Sequence, residues 1–68
     1  MTNLKRIRKE SGLTQSQLAE KIGLSVRMVQ QYEQAQNDIN KAAGITLYQL
    51  AKALDCTMEE LLDLKTEE

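Results

Sequence analysis

Sixty-eight residues with a formal net charge of −1 leave room for one small core and no second domain. With no histidine and a single cysteine, Cys56, the chain offers no credible zinc site and no internal disulfide, and no apolar run is long enough to span a bilayer. Phe and Trp are absent, so the core must be built from Leu, Ile, Val, Ala and Met, which favours packed helices. The charge is polarised: residues 1–32 hold six basic and two acidic side chains, residues 33–68 three basic and eight acidic. A basic half suits a polyanion and an acidic half repels the wrong docking orientation, although scatter of solvated helix charges gives the same counts.

Taken in chain order, Leu4 and Ile7, with Ser11, mark one side of a first helix predicted over 3–11, capped by Thr2 or Asn3 and ended at Gly12. Thr14 and Gln17 have capping-box spacing, which predicts a second helix over 15–22, and Leu13 is placed to staple against Leu18. Leu18 and Ile22 share a face, and Gly23 follows where that helix must stop, free to take positive φ. Ser25 is the expected cap of a third helix predicted over 26–34, with Val29 and Tyr32 turned inward. Ala19 is small where the third helix must cross the second. A bulky residue at Ala19 or Gly23 is expected to push the two helices apart.

With Val29 and Tyr32 inside, the third helix turns Ser25, Val26, Arg27, Gln30, Gln31 and Gln34 outward. Arginine reads guanine, glutamine reads adenine and a small apolar group meets the thymine methyl, so this face suits base edges in a DNA major groove. A merely solvated, glutamine-rich face is the alternative. The first amides of the second helix, with Gln15 beside them, are oriented to bind an anion such as a phosphate.

From 35 to 43 the chain is polar apart from Ile39 and the alanines; Ile39 is expected to anchor this loop, and Asp38 or Asn40 to cap the next helix. Alanine at 35 favours continuing the third helix a turn beyond Gln34. Leu47, Leu50, Ala51 and Leu54 follow i, i+3, i+4, i+7 spacing and predict a fourth helix over 42–54, with Tyr48 beside the stripe and partly buried. Thr57 and Glu60 form another capping box, opening a last helix over 58–64 whose apolar positions are Met58, Leu61, Leu62 and Leu64. Those are more apolar side chains than one core face needs. Residues 65–68 are expected to fray.

Segment 15–34 resembles the helix-turn-helix of the lambdoid phage repressor and Cro family, also called the XRE family. Gln15, Leu18, Ala19, Gly23, Leu24, Val29 and Tyr32 match at fixed spacing, and the flanks LKRIRKESGLTQ and LYQLAKALDCTMEELL extend the resemblance over nearly the whole chain. The sequence departs from the family at Ala35, where glycine is common, and in lacking a following proline. The resemblance implies an all-α, compact five-helix fold with the helix-turn-helix at helices two and three. It implies that Arg8 is held by Glu33 in a shielded ion pair, where two exposed charges worth under about 1 kcal/mol would be the bland alternative. It also implies that Gln15 clamps the DNA backbone and that Asn37, Asn40 and Lys41 touch phosphates; Arg6, in the basic half, is a further phosphate candidate. In the family the last helix often pairs with its mate, which makes Met58, Leu61, Leu62 and Leu64 candidates for a two-fold interface rather than a single intramolecular contact.

The expected function is sequence-specific binding of double-stranded DNA by a bacterial or phage transcription regulator, a repressor acting by occupancy, in the cytoplasm at the nucleoid. Ser25, Val26, Arg27, Gln30 and Gln31 would lie near base edges, and a homodimer would demand a palindromic operator. No cofactor, metal or catalysis is expected. Two alternatives stand beside this: an antitoxin-type regulator that also binds a partner protein such as a toxin, and a protein-interaction module that has kept the fold but lost DNA binding. A neighbouring toxin gene marks the first; a captured partner without any shifted DNA probe marks the second.

Overall fold

In the computed structural model, which describes residues 2–62, Leu4, Leu18 and Leu61 have no exposed surface. They come from three different helices, so the core closes only when the two ends of the chain meet around the helix-turn-helix. The elements are α1 (Asn3–Glu10), α2 (Gln15–Ile22), α3 (Val26–Glu33), a 3-10 turn (Ile39–Lys41), α4 (Gly44–Leu54) and α5 (Met58–Leu61), with no strand among the described residues. The second helix packs on α3 and α4, α1 packs on α3 and α5, and α4 packs on α5. Val29, Tyr32, Ile39, Leu47, Leu50, Ala51 and Leu54 complete the core with Ile7, Ala19 and Ile22.

Side-chain caps start four of the helices. The hydroxyls of Thr2, Thr14, Ser25 and Thr57 accept from the backbone N–H groups of Lys5, Gln17, Met28 and Glu60, and both threonine–Gln/Glu pairs close full capping boxes. The fourth helix has no such bond at Ala43. At Glu60 the Thr57 backbone N–H, then the Thr57 hydroxyl, hold the carboxyl below its ordinary range. A depressed carboxyl contributes stability above its unfolded value and loses it as pH falls through the folded one. Replacing Thr57 with alanine is therefore expected to move the Glu60 midpoint upward in a carboxyl-carbon NMR titration, and an unmoved midpoint would remove the hydroxyl from the cause.

Several boundaries differ from the sequence expectation, each for a local reason. The first helix stops at Glu10 rather than 11: Ser11 is its exposed C-cap, followed by Gly12 at φ +78°. The third helix does not run beyond Gln34. Ala35 takes φ +61°, and the Gln31 carbonyl accepts from the N–H groups of Gln36 (2.8 Å) and Asn37 (3.1 Å), so hydrogen bonding at the end overrides alanine's helix preference. A non-glycine residue there is strained, and Ala35→Gly is expected to raise stability by up to about 1 kcal/mol, read as a higher urea midpoint. The fourth helix begins at Gly44 instead of 42, because Asp38 caps the 3-10 turn, accepting from the Asn40 N–H at 3.0 Å, and Ala42 is extended. Asp38 and Asn40 thus do not cap α4.

Two further corrections concern side chains. Tyr48 is half exposed, one step off the buried stripe, with the Lys52 ammonium 5.8 Å from its ring centre. Gly23 sits at φ +72°, and a Cβ added there would meet nothing within 4 Å. Its requirement is backbone conformation, not room between helices; Ala19, 2% exposed, is the steric one. The last helix ends at Leu61, with Leu62 extended and its carbonyl accepting from Asn3 Nδ2 at 2.8 Å. Leu64 and residues 65–68 lie outside the described residues. No helix among the described residues is long and apolar enough to cross a membrane.

Candidate nucleic-acid interface

Gly23 in the left-handed conformation and Ser25 as the next N-cap leave two residues between α2 and α3, so the chain reverses into α3 without an intervening loop. Val29, Tyr32 and Glu33 face inward, which commits the opposite side of α3 to solvent. Ser25, Arg27, Gln30 and Gln34 are exposed there, while Val26 and Gln31 are half-buried. Val26 packs one side against the core. Arg27 makes no ion pair among the described residues, so its guanidinium keeps its donors for a partner.

Behind this face lies the pair that fixes α3 to α1. Arg8 donates from Nε to Glu33 Oε2 at 2.5 Å and from Nη2 to Glu33 Oε1 at 3.2 Å, a bidentate contact in which both residues are buried. The remaining arm, Nη1, donates to the Leu13 carbonyl at 2.7 Å, so the guanidinium also ties down the approach to α2. Thr2 adds a hydroxyl donor to the Glu33 carbonyl at 3.2 Å. Every buried side-chain nitrogen and oxygen among the described residues is hydrogen-bonded, as burial of such charges requires.

Gln15 is drawn into the same network. Its Nε2 donates to Glu33 Oε1 at 2.9 Å, and its Oε1 accepts from Gln30 Nε2 at 3.3 Å. Sequence reasoning missed this bridge, because positions 15, 30 and 33 lie on two helices and no periodicity links them. The buried acceptor at Glu33, facing a helix that starts with glutamine, was the available signal. Gln31 Oε1 accepts from Asn37 Nδ2 at 2.9 Å, which joins the end of α3 to the loop after it. Asn40 and Lys41 follow in the 3-10 turn, both exposed.

Two groups of predicted residues are not brought to α3. Arg6 pairs with Glu10 at 3.5 Å in a groove shared with Leu54, Asp55, Cys56 and Glu60, an acidic setting unlike a phosphate site. At the chain end, Leu61 is fully enclosed within its own core and has no surface to offer a mate, whereas Met58 and Leu62 are half-buried. Burial, with the Glu60 and Asp55 carboxylates, raises the Cys56 thiol above its ordinary value, so it is not a ready nucleophile. No group of His, Cys, Asp and Glu side chains among the described residues is arranged to hold a metal ion.

Among known protein families, the helix-turn-helix profile matches residues 4–61. Neither the curated proteins nor the solved structures give a match.

Proposed function

Because the chain belongs to the Cro/C1-type (XRE) helix-turn-helix family, whose members are non-enzymatic DNA-binding domains, we propose that it is a repressor whose α3 enters the major groove of one specific DNA sequence. The observation that carries this reading is the unpaired Arg27 beside Gln30 on the solvent face of a helix locked from behind by Arg8 and Glu33. Ser25, Val26 and Gln31 flank them and complete the reading set. Gln15, Asn37, Asn40 and Lys41 hold phosphates on either side, and Arg6 is omitted from that set because its neighbours are acidic. Repression is by occupancy: the bound domain blocks polymerase, and nothing is chemically transformed. Two copies on one operator would place their α3 helices about 34 Å apart, one turn of DNA, so the operator is a palindrome.

The test separates base from backbone contacts. Arg27→Ala is expected to cost about 1–3 kcal/mol on the selected operator and to relax preference at one base pair, whereas Lys41→Ala weakens operator and random DNA alike. Equal losses for the two variants on both probes would contradict the assignment. With about four neutralised phosphates per protomer, log affinity is expected to fall with log salt at a slope near −3.6. A flat salt response counts against DNA as the ligand.

A further inference from the structure

We propose that Gln15 fixes which way round the Gln30 amide faces the DNA, and thereby which strand carries the adenine that Gln30 reads. The inference rests on the DNA-binding reading above and adds to it a positioning residue and a base identity.

The argument is one of donors and acceptors in series. A carboxylate only accepts, and Glu33 Oε1 takes Arg8 Nη2 at 3.2 Å and Gln15 Nε2 at 2.9 Å. Gln15 must therefore present its nitrogen to Glu33, which turns its Oε1 toward α3. That oxygen also only accepts, and it takes Gln30 Nε2 at 3.3 Å. The polarity is chemically forced, since reversing Gln15 would set its oxygen against the carboxylate. Gln30 then spends one N–H on Gln15 and keeps the second N–H and its own Oε1 for a ligand. One donor and one acceptor side by side match the N7 acceptor and N6 amino donor of adenine. With their order fixed, A·T and T·A are no longer equivalent. The Glu33 side chain is 1% exposed and Gln30 lies in solvent, so the relay carries orientation from a buried charge to the reading face.

The experiment compares wild type, Gln15→Met and Gln15→Ala by selection from random duplex DNA, with Gln30→Ala marking which base pair Gln30 reads. Wild type is expected to prefer A·T over T·A at that pair by roughly 5- to 150-fold, and both Gln15 variants to fall to about twofold or less. A phosphate clamp alone would weaken every sequence and leave that preference standing. In the free protein, the Gln30 side-chain amide protons are expected to exchange with water more slowly in wild type than in either variant. Unchanged base preference in both variants, or equal exchange rates, overturns the proposal. If wild type selects no sequence at all, the DNA reading fails and the base assignment with it, while the exchange rates still decide whether the relay exists.

Discussion

Glu33→Ala is expected to lower the stability of the domain by about 3–5 kcal/mol, because it leaves the Arg8 guanidinium buried without its counter-charge. At about 0.05–0.15 kcal/mol per residue, a chain of this size holds roughly 3–10 kcal/mol in all, so the variant should be partly unfolded near body temperature. Urea unfolding followed by circular dichroism reads the loss as a lowered midpoint at unchanged slope. The reciprocal variant Arg8→Ala strands the carboxylate and also removes the donor to the Leu13 carbonyl. Replacing both, Arg8→Met with Glu33→Leu, leaves no buried charge and should recover most of the stability, since apolar replacements of similar size commonly match a buried pair. DNA binding is expected not to recover with it, because the Gln15 amide then has no carboxylate to face. An unchanged urea midpoint for Glu33→Ala would mean that the pair is not sealed from water.

This pairing shows what the chain made legible and through what kind of signal. Local rules read the helix starts directly: Thr14 with Gln17 and Thr57 with Glu60 announce their caps by spacing alone, and Gly23 announces a left-handed exit. The core stripe of α4 follows from periodicity, since Leu47, Leu50, Ala51 and Leu54 all land inside. The ion pair of Arg8 with Glu33, by contrast, came only through family resemblance, because two charges 25 residues apart carry no local signature. Failures cluster where a tertiary bond outvotes a local preference. Ala35 favours helix, yet the Gln31 carbonyl captures the next two N–H groups and forces it left-handed. At 39–41 a short 3-10 turn absorbs the cap that Asp38 offers, delaying α4 by two residues. The Gln15 bridge stayed invisible for a related reason: an amide at a helix N-terminus suits an anion, and only the fold reveals that the nearest one is Glu33.

Leu61→Ala carries the second large effect and decides between two readings of the chain end. Leu61 has no exposed surface and belongs to a helix of four residues, so most of what holds α5 in place is this one side chain with its partners in α1 and α4. Removing its isobutyl group should cost about 2–5 kcal/mol, the transfer loss plus the cavity left behind. Because the contact is made within one chain, the loss should be independent of protein concentration. A side chain shared across a two-fold interface behaves differently, since its removal lowers the midpoint most at concentrations where the wild type is dimeric. Leu62→Ser supplies the control. Leu62 is half-buried and lies beyond the helix, so it should cost far less stability while removing apolar surface from the only part of α5 that faces outward with Met58. A Leu61→Ala midpoint that shifts with concentration would move this residue from the core to the interface. One that stays fixed, while Leu62→Ser lowers cooperativity of operator binding, would place any pairing of two copies on the rim formed by Met58 and Leu62.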